Sequence, residues 1–262
     1  MTRRFIDISV TLEDVPMNPP HHRPSIQYSA HDETWEGFNK YYPGVTKEEI
    51  IDGKAWASET VTLVTHSGTH MDAPWHYHPT MNHRFTPNGE RASTIDEIPL
   101  EWCFGRGVKL DFRHFESGYV ATEKDVEAEL KRIGHKLKPL DIVLVNTAAG
   151  ARYGEPDYWE TGCGMGRDAT LWLTERDVRV VGTDAFGWDA PFVHTARKYN
   201  QTKDASLIWE GHKAGREIGY CQMEKLHNLE LLPATGFMVA CFPVKIKGAS
   251  AGWTRAVAIM EE

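Results

Sequence analysis

The run His66-Ser67-Gly68-Thr69-His70-Met71-Asp72-Ala73-Pro74-Trp75-His76 decides how the rest of the chain is read. It holds three imidazoles and a carboxylate at offsets 0, 4, 6 and 10, the ligand types that hydrolytic divalent ions prefer. An HxxxH pair on a helix would suggest a zincin, but Gly68 separates these histidines and Pro74 follows them. The β-branched residues Val61, Thr62, Val64 and Thr65 lead in. The pattern predicts a strand ending at His66 and a turning loop from Ser67 to Pro74. Small residues in that loop let His66, His70 and Asp72 converge. A lone histidine among the 13 in this chain would be read as a surface or packing residue. Four spaced groups bracketing Gly and Pro point instead to a metal site.

Around this run, β-rich segments are expected at residues 5–10, 59–65, 107–112, 141–146, 178–183, 236–246 and 253–260, bounded by Gly, Pro and Asp. One helix is well signalled: Thr122 caps it with Asp125, Val126, Leu130 and Ile133 share a face, and Gly134 stops it. A second begins at Asp168 and carries Leu171, Trp172 and Leu173; a third covers residues 206–220. Strands outnumber helices, and the two alternate only in the second half. That predicts an α/β (mixed α+β) chain with a mixed sheet and flanking helices. No repeat or linker divides residues 1–262, so one domain is expected. Residues 16–42, rich in proline, histidine and aromatics without a period, read as a lid or oligomer-contact arm.

Composition excludes several classes. Net charge is −8 and no Lys/Arg run is long, which argues against nucleic-acid and anionic-membrane partners. Cys103, Cys163, Cys221 and Cys241 are far apart and form no CxxC pair, so reduced, buried thiols are expected. No apolar run approaches the roughly 18 residues of a membrane span. The start, Met-Thr-Arg-Arg-Phe-Ile, lacks a signal-peptide core. The expectation is a soluble cytoplasmic protein. No GxSxG elbow supports a serine hydrolase. The glycines at 162, 164 and 166 have the wrong spacing for a dinucleotide turn and read as a simple turn.

The run His66–His76 resembles the HxGTHxDxPxH signature of the cyclase family of metal-dependent hydrolases, which includes kynurenine formamidases and isatin hydrolases. His66, Gly68, Thr69, His70, Asp72, Pro74 and His76 all match it. The likeness continues in His212 and, twelve residues on, Glu224, in Gly182-Thr183-Asp184, and in the closing strand at Arg255-Ala256-Val257. The resemblance implies a swivelling β/β/α-type fold and a homodimer or homotetramer. It implies one or two divalent ions, Zn²⁺ or Mn²⁺, held by His66, His70, Asp72, His212 and Glu224, with His76 as acid/base. The implied activity is attack of metal-activated water on a small cyclic amide, aryl formamide or lactone.

Trp75, Phe38 and Trp188, with Tyr77, His78, Phe186, Tyr28 and Trp35, are expected to wall a flat pocket for a cyclic or aromatic small molecule. Arg23 and Arg255 are candidates for meeting a carboxylate, with a surface ion pair the simpler reading of each. Two rival readings remain at this level. One is a non-haem iron oxygenase using His70, Asp72 and a distant histidine, which leaves His66, His76 and Glu224 unexplained. The other is a non-catalytic metal-binding protein whose ion is closed off by protein ligands.

Overall fold

Ile142–Asn146 is buried at all five positions, so it requires cover on both faces. In the computed structural model, which describes residues 2–16 and 19–261, this strand is the middle one of a nine-stranded sheet. The sheet's strands are β1 (Arg3–Asp7), β2 (His70–Asp72), β3 (Phe104–Asp111), β4 (Ile142–Asn146), β5 (Val180–Thr183), β6 (Cys221–Glu224), β7 (Phe237–Ala240), β8 (Ala251–Trp253) and β9 (Val257–Glu261). Their spatial order is β1-β9-β7-β3-β4-β5-β6-β2-β8. β3, β4, β5 and β6 are parallel; every pairing outside them is antiparallel. The mixed sheet inferred from the sequence is therefore present.

The parallel strands are joined by crossovers carrying α2 (Glu123–Arg132), α3 (Arg167–Thr174), α4 (Phe192–Thr202) and α5 (Glu210–Ala214); a single-turn helix, α1 (Pro74–Tyr77), follows β2. One face of β4, Val143 and Val145, packs with Val126 and Leu130 of α2 and Leu173 of α3. The other face, Ile142 and Leu144, packs with Ile6, Met71, Met223 and Val239. Only residues 254–256 separate β8, at one edge of the sheet, from β9, second from the other edge. The sheet thus curls until its two ends approach, and the second cluster fills the inside.

Local signals explain the best-read helix. The Asp125 carboxylate accepts the Thr122 N–H at 2.8 Å, Thr122 caps α2 in return, and Gly134 turns the chain out with φ +66°. Other expectations are corrected. Residues 67–74 are not all loop: His70–Asp72 is a buried strand, and His66 lies in the turn before it. The strand expected over 59–65 is Ser58–Thr62, an exposed ribbon paired with Ser25–Ser29. The helix expected over 206–220 is reduced to a 3₁₀ turn, Ala205–Leu207, and α5, because Trp209 has φ +58° between them. α4 and β6 were not expected from the sequence. The first buries no residue, and the second reads Cys-Gln-Met-Glu.

Residues 16–42, without a period in the sequence, contain short elements. They hold the turn Pro20–His22, the strand Ser25–Ser29 and the 3₁₀ segment Trp35–Lys40; Met17 and Asn18 of that arm lie outside the described residues. All four cysteines are free and buried. Among the described residues no helix is long and apolar enough to cross a membrane.

Candidate metal centre

Register builds the site. His70 lies opposite Glu224 and Asp72 opposite Gln222 across the β2–β6 pair, with Met71 opposite Met223. Side chains alternate across a sheet, so the four polar residues share one face while the two methionines enter the core behind them. The turn before β2 brings in His66, with Gly68 at φ +60° and the Leu12 side chain 3.1 Å from where a Cβ would sit. α1, with Pro74 at its first position, brings in His76.

The ligand atoms cluster tightly. His66 Nδ1 is 2.9 Å and His70 Nε2 3.3 Å from Asp72 Oδ1, and His70 Nε2 is 3.5 Å from Glu224 Oε2. Two sets, His66/Asp72/His76 and His70/Asp72/Glu224, each offer three atoms within 4.8 Å of one another, and Asp72 belongs to both. His70 and Asp72 are wholly buried, yet His70 Nε2 and Asp72 Oδ1 make no hydrogen bond of acceptable geometry. Buried polar atoms are rarely left so. A divalent ion between them would satisfy both, and the imidazole–carboxylate donor set suits one.

The histidine tautomers are prepared for that task. His70 Nδ1 lies 2.9 Å from the Gly68 carbonyl, which can only accept, so the proton sits on Nδ1 and Nε2 presents its lone pair. His212 Nδ1 is held in the same way by Asp189. The Nε2 of His212 faces the cluster, 3.5 Å from Glu224 Oε1 and 3.9 Å from Asp72 Oδ2, but its nearest partner is the Gln222 amide at 2.8 Å. That amide also reaches Glu224 Oε1 at 2.8 Å and Asp72 Oδ2 at 3.3 Å. Gln222, Asp189 and the Ser250 hydroxyl, 3.1 Å from His66 Nε2, were not singled out from the sequence.

Electrostatics follow from burial. Burial alone would raise the Asp72 carboxyl, but the imidazoles of His70, His66 and His76 hold it well below the usual range. Burial pushes His76 down to about 4, against the pull of Asp72, so its ring is neutral at pH 7. His212 moves the other way. Desolvation would lower it, but Asp189, then Glu224 and Asp72, raise it.

A cavity of about 280 Å³ opens onto this cluster, bounded by His66, His76, His212 and Glu224 and walled by Trp159, Phe186, Phe192 and Trp209. Trp209 stacks on His212, ring centres 4.4 Å apart. Of the aromatics expected there, Phe186 lines the cavity and the others, Trp75, Phe38 and Trp188 among them, do not. Trp188 is in the core, donating its indole N–H to Thr170. Phe38 packs with Trp56 and Tyr42 in the arm. Trp75 is exposed at the surface. Arg23 and Arg255 pair at the surface with Asp14 and Asp7.

Residues 6–190 match the sequence model of the family described as "Putative cyclase", well over half of the chain. The chain belongs to the cyclase family. The match includes His66–His76 and Asp189. Cyclase-like protein 3 of Arabidopsis thaliana is 26% identical over 204 residues, covering 75% of this chain and 63% of the plant protein, so the chain spans less than two thirds of that relative. Isatin hydrolase A from Labrenzia aggregata superposes with a TM-score of 0.73 at 24% identity, over 99% of this chain and 94% of that one. A structure described as a potential metal-dependent hydrolase with cyclase activity gives 0.64 at 19% identity, over the whole of both chains. At these identities the likeness is one of fold.

Proposed function

We propose that this protein is a metal-dependent hydrolase that cleaves a small cyclic amide, aryl formamide or lactone. The observation that carries the reading is the orphaned pair His70 Nε2 and Asp72 Oδ1, packed against His66 and Glu224, which line an aromatic-walled cavity. The fold shared with an isatin hydrolase and with a potential metal-dependent hydrolase supports the same class.

His66, His70 and Asp72 would hold an ion, with Glu224 and His212 available to complete the set. When bound, Zn²⁺ or Mn²⁺ would lower the pKa of a coordinated water and polarise a carbonyl. The protein's own contributions are separable from that. Asp189 and Gly68 fix two ring tautomers, so neither ring has to change tautomer when an ion arrives. The aromatic walls orient a flat substrate and exclude bulk water. Neutral His76, its Nε2 directed at the cluster 3.9 Å from Asp72 Oδ2, takes a proton from water and returns it to the departing nitrogen or oxygen. A second role for His76 rests on its place with His66 and Asp72 in one ligand set.

The test is reconstitution of the purified chain with Zn²⁺ or Mn²⁺. Isatin, N-formylkynurenine, cyclic imides and lactones are then followed by loss of absorbance. Turnover that depends on added metal is expected. Metal-dependent oxygen consumption without hydrolysis would overturn the reading in favour of an oxygenase.

A further inference from the structure

Lys225 follows Glu224 directly, yet both side chains reach the same cavity. Neighbours along an extended strand point to opposite faces. Here β6 stops at Glu224 and Lys225 takes φ +56°, a left-handed conformation disfavoured for a residue with a Cβ. Two bonds pin it: its amide donates to the Ala185 carbonyl at 3.0 Å, and its carbonyl accepts the Thr69 hydroxyl at 2.6 Å. The fold therefore turns this lysine back toward the metal cluster.

The ammonium is buried, with Lys225 only 2% exposed, and is under-used. It donates to the His66 carbonyl at 3.2 Å. Its other neighbours are the Phe186 ring, 4.4 Å away, and Glu224 Oε2 at 3.9 Å, beyond hydrogen-bond distance. An ammonium carries three protons. Beside it in the cavity wall, His22 Nδ1 is buried with no partner. Buried polar groups left short of partners are costly, and both residues belong to the wall of the cavity that a substrate would fill. Glu224 Oε2 is 3.9 Å from Lys225 Nζ and 3.5 Å from His70 Nε2, so one carboxylate oxygen neighbours both the ammonium and the metal cluster.

We propose that Lys225 is the specificity-determining residue of this pocket, donating to a second oxygen acceptor, carbonyl or carboxylate, one or two bonds from the carbonyl that reacts at the His66/His70/Asp72 cluster. This rests on the hydrolase reading above. A plain counter-charge to Glu224 and Asp72 makes a different prediction: loss of Lys225 would then change metal binding and treat all ligands alike.

The experiment measures binding to the Mn²⁺-loaded full chain by tryptophan fluorescence, since Trp159 and Trp209 line the cavity. Three probes are compared: benzamide with one carbonyl, phenylglyoxamide with two, and phenylglyoxylate with a carbonyl and a carboxylate. Lys225→Met should weaken at least one of the two-acceptor probes by about tenfold or more. Benzamide should change less than about twofold and manganese per chain not at all, and Lys225→Arg should recover part of the loss. The probe that loses more tells carbonyl from carboxylate. Equal losses for all three, no loss, loss of metal, or a wild type that binds none of them would overturn the proposal. Should Lys225→Met not fold, Lys225→Gln takes its place. A wild type that shows the binding split but hydrolyses nothing would sink the hydrolase reading alone; hydrolysis without the split would sink only the role of Lys225.

Discussion

Asp189 accepts a hydrogen bond from the Nδ1–H of His212, and its carboxylate also accepts the backbone N–H groups of Gly211 at 2.7 Å and His212 at 3.1 Å, where α5 begins. One side chain thereby fixes both the helix start and the ring it carries, and leaves Nε2 of His212 facing Asp72 and Glu224. Asp189→Asn keeps the size but offers an amide where the ring proton needs an acceptor. Metal affinity or turnover should fall by roughly 10- to 100-fold, the usual cost of losing such a support. Titration of the apo protein with Zn²⁺, alongside turnover, checks this. A folded variant unchanged in both would show that the orientation of His212 does not matter to the chemistry.

Asp72 and His76 should separate metal retention from proton transfer. Asp72 belongs to both ligand sets, so Asp72→Asn should lose most of the bound metal as well as activity. His76→Ala should keep its metal while turnover drops by about 10² to 10⁴, the range of a lost general acid/base. Elemental analysis of both variants after dialysis decides the matter. If His76→Ala loses metal as Asp72→Asn does, His76 is a ligand.

The ligand turn was legible because its residues lie within eleven positions of one another, and α2 because cap and stop signals are local. Gln222 was not, because its role comes from register with Asp72, 150 residues away. Lys225 and Trp209 were hidden for another reason. Both take positive φ, which nothing in a lysine or tryptophan announces. β2 is too short for alternation to be read, and β6 carries polar residues at alternate positions because that face is the site. Aromatic content pointed to a walled pocket, but content cannot say which tryptophan faces the cavity and which the core.

Asp184 gives a pH test away from the metal ligands. Burial pushes its carboxyl up to about 7, although the Thr147 N–H, the Thr147 hydroxyl and the Asn146 amide, at 2.8, 2.8 and 2.6 Å, work against the rise. A carboxyl raised in the folded state binds its proton more tightly there than in the unfolded chain. Its contribution is therefore fully present below pH 3.8 and is lost as pH rises toward 7. His22 and His76, both lowered to about 4 chiefly by burial, act oppositely: their contribution is present above pH 6.5 and is lost as pH falls toward 4. Comparing wild type with Asp184→Asn isolates the first effect. The wild type's stability relative to the variant should decline between pH 4 and 7, by on the order of 4 kcal/mol at most. A difference that stays flat across this window in chemical denaturation would show that Asp184 is ionised throughout.

Trp188 and Trp209 should respond to substitution in opposite ways, because one is core and the other pocket wall. Trp188 is 1% exposed, and its indole N–H donates to Thr170 Oγ1 at 3.0 Å. Its contact with the site is made by the main chain, whose N–H donates to Glu224 Oε1 at 3.2 Å and survives any side-chain change. Trp188→Phe removes the indole bond and leaves a small void, so it should cost about 1–3 kcal/mol of stability while KM stays within about twofold of wild type. Trp209 lines the cavity with its ring stacked on His212. Trp209→Ala should raise KM for an aromatic substrate by roughly tenfold, as expected for the loss of about 1 kcal/mol of ring contact together with its buried area. Thermal denaturation and steady-state kinetics on the two variants read both effects. A large KM change in Trp188→Phe with unaltered stability would return that tryptophan to the substrate pocket.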